Sequence, residues 1–124
     1  MRPVILIVDD DPATLTGLVG LLEGAGYSAV AAGDYAEGRR LLSRIPVDLV
    51  IVDVRLGAYN GLQLAVFARS LPSRPPAIVT SGFEDRVLEE EARQLDAPFL
   101  LKPIDPAGLL ALIKERLAGR PSSS

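Results

Sequence analysis

The chain has 124 residues, 48% of them hydrophobic, with no cysteine, no histidine and a net charge of -3. That length suits one domain with a real core, and the missing residue types exclude disulfides, thiolate and Ser-His-Asp catalysis, Cys or His metal sites, and a phosphohistidine on the chain itself. A pI near 4.9 argues against direct nucleic-acid binding, which needs a basic face, and the longest apolar runs are far too short for a membrane span.

Met1-Arg2-Pro3 runs straight into Val4-Ile5 with no signal-peptide pattern, so a cytoplasmic protein is expected. Val4 to Val8 is a continuous apolar run, the mark of a strand buried on both faces. Leu15, Leu18, Val19 and Leu22 form the stripe of an amphipathic helix that ends near Gly24-Ala-Gly26. Tyr27 to Ala31 is the second strand, and Asp34-Tyr-Ala-Glu37 has the form of a capping box opening a helix that Pro46 closes. Asp48 to Asp53 is the third strand, "RLGAYNG" a loop, and Leu62 to Leu71 a helix. Pro75-Pro76 introduces a fourth strand at Ala77 to Thr80, and Glu84 to Gln94 is an acidic helix. Ala97 to Leu101 is the fifth strand, Pro106 to Leu117 the last helix, and "GRPSSS" a tail or linker.

Repeated β-α alternation predicts a five-stranded parallel sheet with five helices on its two faces, and a flavodoxin-like doubly wound order, 2-1-3-4-5, is expected, which sets strand three beside strand one. Ligands of such folds sit beyond the carboxyl ends of the strands, where the order reverses. There the sequence places Asp9, Asp10 and Asp11 after strand one, Asp53 at the end of strand three, Thr80-Ser81-Gly82 after strand four and Lys102-Pro103 after strand five. Asp11-Pro12 and Asp105-Pro106 read as N-caps followed by proline at the first helical position. Asp9 and Asp10 alone would pass for solvated turn residues, but Asp53 lies on the neighbouring strand. Three carboxylates at close quarters need a counter-charge, and a hard divalent cation such as Mg2+, with Lys102 as a second cation, fits a site for phosphoryl transfer.

"ILIVDDDP", "DLVIVDVRLGAYNG", "PAIVTSG" and "FLLKP", in this order, resemble the receiver domain of two-component response regulators, chemotaxis-regulator-like. The resemblance covers residues 1–119 as one domain and leaves 120–124 as tail or linker. It implies a cytoplasmic phosphoprotein of a phosphorelay, with Asp53 accepting a phosphoryl group from a histidine kinase or phosphotransfer protein. It implies Mg2+ held by Asp10, Asp53 and the backbone carbonyl of Arg55, with Asp9 assisting through water. Lys102 would contact the phosphoryl oxygens next to a cis Lys102-Pro103 bond, and Ser81 rather than Thr80 would supply the hydroxyl. Ser81 and Phe99 would form the switch that moves the surface made by the acidic helix, the fifth strand and the last helix toward a downstream protein or effector domain.

Gly57 and Asn60 depart from the family's proline and aspartate, and "LEEEARQLDA" is slightly short. Arg55 and Phe83 stand where the family tunes hydrolysis, and since Phe83 cannot orient water, slow self-dephosphorylation is expected. A Mg2+-dependent phosphatase is the rival reading; short connections that leave no room for a lid or substrate pocket count against it. A receiver-shaped binding module that is never phosphorylated would lack an acceptor, metal ligand or lysine, and none is lacking.

Overall fold

The computed structural model describes residues 2–119; the expected tail, 120–124, lies outside the described residues. Five strands, β1 (Val4–Val8), β2 (Ser28–Ala32), β3 (Leu49–Asp53), β4 (Ala77–Ser81) and β5 (Phe99–Leu101), form one parallel sheet. Its order is β2-β1-β3-β4-β5, the doubly wound order expected. The connecting helices are α1 (Pro12–Gly24), α2 (Tyr35–Arg44), α3 (Leu62–Ser70), α4 (Arg86–Gln94) and α5 (Pro106–Ala118).

The continuous apolar strands are explained by two cores, one on each face of the sheet. Side chains alternate along a strand, so Leu6, Val8, Val50 and Val52 face one way and Ile5, Ile7, Leu49 and Ile51 the other. The first set packs with Leu42, Leu64, Ala65 and Ala92, brought by α2, α3 and α4. The second packs with Leu18, Leu22, Leu109 and Ile113, brought by α1 and α5. Each fully buried Val, Leu or Ile side chain among these contributes roughly 1.5–3 kcal/mol against the entropy of ordering the chain.

Caps set the helix starts as expected. Asp11 accepts from Thr14 N and Oγ1, Asp34 from Glu37 N, and Asp105 from Gly108 N. Glu37 does not close a reciprocal box; its carboxylate pairs with Arg40 instead. Asp85 caps α4 by accepting from Val87 N and Leu88 N, so that helix begins at Arg86 and not at Glu84.

The strands differ from expectation where helix ends claim backbone groups. Tyr27 N donates to Leu22 O and Gly26 N to Glu23 O, with Gly26 at φ +98, a Schellman closure that postpones β2 to Ser28. Ala97 N likewise donates to Ala92 O and Asp96 N to Arg93 O, with Asp96 at φ +54, which postpones β5 to Phe99. The segment expected as a plain loop after β3 holds a small antiparallel ribbon, Arg55–Leu56 with Tyr59–Asn60. Gly57 turns it at φ +61, Leu56 is buried beneath it, and Tyr59 stacks on Tyr35 at 4.6 Å. Among the described residues no helix is long and apolar enough to cross a membrane.

Candidate functional site

At the carboxyl ends of β1 and β3 the sheet register runs Val8 beside Val52, so the residues that follow, Asp9 and Asp53, emerge as neighbours. Asp9 and Asp53 are both buried, whereas Asp10 is exposed. Carboxylate oxygens of Asp9, Asp10 and Asp53 all lie within 4.8 Å of one another. Lys102, on the turn between β5 and α5, reaches across them, and its Nζ donates to Asp9 Oδ2 and Asp53 Oδ2, both at 2.9 Å. The backbone aids this reach, since Lys102 N donates to Ser81 O at 2.8 Å and the Lys102-Pro103 peptide is cis.

The remaining bonds divide the labour among the carboxylates. Asp9 Oδ1 accepts from Asp11 N at 2.9 Å, and Asp53 Oδ1 from Arg55 N at 3.1 Å. Asp9 and Asp53 are therefore held at both oxygens, while the Asp10 carboxylate takes no hydrogen bond or ion pair from any described residue. Burial alone would pull the Lys102 pKa down; hydrogen bonds and charge from Asp9 and Asp53 outweigh it, and the net shift is upward. One ammonium among three carboxylates leaves the cluster negative, and its donors are all oxygen, so it can hold a hard metal cation.

Of the residues expected at the site, Asp9, Asp10, Asp53 and Lys102 are brought together. Arg55 adjoins through its backbone N–H, but its side chain is exposed and its guanidinium carbon lies 5.0 Å from the centroid of the Phe83 ring. Ser81 is buried with its hydroxyl turned away to the next loop, donating to Phe83 O at 2.7 Å and accepting from Phe83 N at 3.1 Å. Phe99 lies apart from the cluster, half-buried, in a groove with Arg93 of α4, Asp96 just beyond it, and Leu112 and Arg116 of α5. Thr80 is buried within β4, registered opposite Asp53.

Sequence reasoning missed Gly61. Its N–H donates to Val54 O at 2.7 Å, and a Cβ built on it would overlap the Asp53 carbonyl oxygen. Only glycine lets the start of α3 lie against the backbone of Asp53. The Asn60-Gly61 pair was the available signal, and the Asn60 side chain accepts from Leu62 N at 2.8 Å at the entry to α3.

The family model described as response regulator receiver domain matches residues 5–114. Transcriptional regulatory protein GlrR of Escherichia coli (strain K12) is 40% identical over 115 residues, covering 91% of this chain and 26% of GlrR. DNA-binding response regulator MtrA of Mycolicibacterium smegmatis is 31% identical over 119 residues, covering 94% of this chain and 51% of MtrA. The chain thus spans about a quarter to a half of the length of these curated relatives. Among solved structures, a CheY-like receiver domain protein from Methanospirillum hungatei JF-1 superposes with a TM-score of 0.89 at 29% identity, covering 95% of each chain. A response regulator receiver protein from Pseudomonas putida gives 0.86 at 32% identity, covering 93% of this chain and 98% of that one.

Proposed function

The chain belongs to the response regulator receiver family of two-component signalling proteins, and on that premise we propose that Asp53 is its phosphoacceptor. One carboxylate oxygen of Asp53 attacks the phosphorus of a phosphohistidine on a histidine kinase or phosphotransfer protein. An O–P bond forms, the N–P bond breaks, and its electron pair stays on the imidazole nitrogen, which takes up a proton. The observation that carries this reading is the Lys102 ammonium placed 2.9 Å from both Asp9 and Asp53, a cation set to meet phosphoryl oxygens.

Asp10, Asp53 and the Arg55 carbonyl would hold Mg2+ directly, and Asp9 through water. The bound ion supplies neutralisation of the carboxylates and of the incoming phosphoryl oxygens. Asp10 suits direct ligation because its carboxylate is exposed and takes no hydrogen bond or ion pair from any described residue. In the phosphorylated state the Ser81 hydroxyl turns to the phosphoryl group and Phe99 follows, altering the groove beside Arg93, Asp96 and Arg116. A downstream protein or an effector domain reads this α4-β5-α5 surface. The domain, taken as residues 1–119, works in the cytoplasm and contacts neither membrane nor nucleic acid itself; it catalyses only its own phosphorylation and dephosphorylation.

Incubation with Mg2+ and acetyl phosphate, followed by intact mass, tests the proposal. A phosphoryl adduct is expected on the wild type and none on Asp53→Asn; equal uptake by both would sink it. Exposed Phe83 presents no group to orient an attacking water, so the adduct is expected to decay slowly. Decay within seconds in Mg2+ buffer would contradict that.

A further inference from the structure

The loop after β3 and the loop after β4 are joined across the mouth of the acidic site by one cation-π contact. Arg55 stands two residues after Asp53, and its guanidinium carbon is 5.0 Å from the Phe83 ring centroid. Its side chain forms no ion pair or hydrogen bond with any described residue. Phe83 is 62% exposed, yet its backbone is clasped in both directions by the Ser81 hydroxyl. Two groups adjoining the phosphorylation site, Arg55 and Ser81, therefore hold the same residue at the head of α4.

We propose that Arg55 is a phosphoryl-sensing latch that lies on Phe83 in the unphosphorylated protein and moves to the phosphoryl oxygens when Asp53 is modified, releasing the loop before α4. The inference rests on Asp53 being the phosphoacceptor. Modification replaces the single negative charge of the carboxylate with a group of nearly two charges and three strong acceptor oxygens. A guanidinium binds such oxygens in a bidentate, charge-assisted way, which outcompetes its hold on a solvent-exposed ring. Arg55 is tethered by its own N–H to Asp53 Oδ1 at 3.1 Å, so the transfer needs only side-chain rotation. Phosphorylation is thereby reported at Phe83 as well as at the Phe99 groove.

The chain contains three phenylalanines, so 4-fluorophenylalanine labelling gives a simple fluorine NMR spectrum in which Phe83→Leu identifies the Phe83 resonance. Acetyl phosphate and Mg2+ are added, and the same samples are weighed by intact mass. In the wild type the Phe83 resonance is expected to move on phosphorylation. In Arg55→Gln it should sit at a changed position before any donor is added, and respond less than about half as much. Arg55→Lys, which keeps the charge but loses the planar fork, should recover only part of the response. An Arg55→Gln resonance at the wild-type position overturns the latch, however poorly that variant takes up phosphoryl groups. An adduct on the wild type with an unmoved Phe83 resonance also overturns the latch alone, whereas absence of any wild-type adduct overturns the phosphoacceptor reading and the latch with it.

Discussion

Lys102 balances two buried carboxylates with one ammonium, and the consequences for pH follow from the direction of its shift. Its pKa in the folded chain is raised, burial being outweighed by Asp9 and Asp53. The stabilisation is therefore fully present below the unfolded value, about 10.4 for lysine, and is lost as pH rises through the folded one. Urea unfolding in metal-free buffer should show an alkaline loss of stability in the wild type that is smaller in Lys102→Met; parallel curves would refute this. Asp10 is the opposite case, an exposed carboxylate with no partner among the described residues. Asp10→Asn removes one of three clustered like charges and should raise metal-free stability by about 1 kcal/mol. Mg2+ at a hundred times its Kd should stabilise the wild type by about 2.7 kcal/mol and the variant much less, as read by the urea midpoint.

Among the elements, the segment from Asp53 to the start of α3 is the most constrained. The ribbon turns at Gly57, stacks Tyr59 on Tyr35 and delivers Gly61 against the Asp53 carbonyl. Gly61→Ala forces the backbone apart, an overpacking that should cost about 1–3 kcal/mol, and it shifts the very peptide that carries Asp53. Acetyl phosphate should label Gly61→Ala more slowly than a variant equally destabilised elsewhere, such as Asp34→Ala at the cap of α2. Equal labelling rates would show that Gly61 matters only to stability. Helix starts were legible because a cap acts within three residues, as Asp11, Asp34 and Asp105 do. The starts of β2 and β5 were not, because Tyr27 and Ala97 give their N–H groups to preceding helices, a competition that apolar pattern does not register.

On the scale of the molecule, the sheet separates two cores, one around Leu64 and the other around Ile113, both fully buried. Leu64→Ala and Ile113→Ala should each cost about 2–5 kcal/mol. Since the two side chains lie on opposite faces without shared partners, the costs should add to within about 0.5 kcal/mol. Against a total of roughly 5–15 kcal/mol, the double variant is expected to lose its cooperative urea transition or come close to it. Marked non-additivity would mean that the faces communicate through the strands.

What the amino-acid order decided by itself was the alternation of strands and helices, and with it the four charged residues that fall at the same end of the sheet. All of that follows from short-range periodicity and from the rule that parallel strands end on the same edge. Tertiary structure alone decided which atoms of those residues are committed: both oxygens of Asp9, none of Asp10, and a Ser81 hydroxyl that faces Phe83. It alone set Arg55 on Phe83 and Gly61 on Asp53. Such contacts join loops distant in sequence, and their geometry depends on how two layers of helices pack on one twisted sheet, which no local pattern encodes.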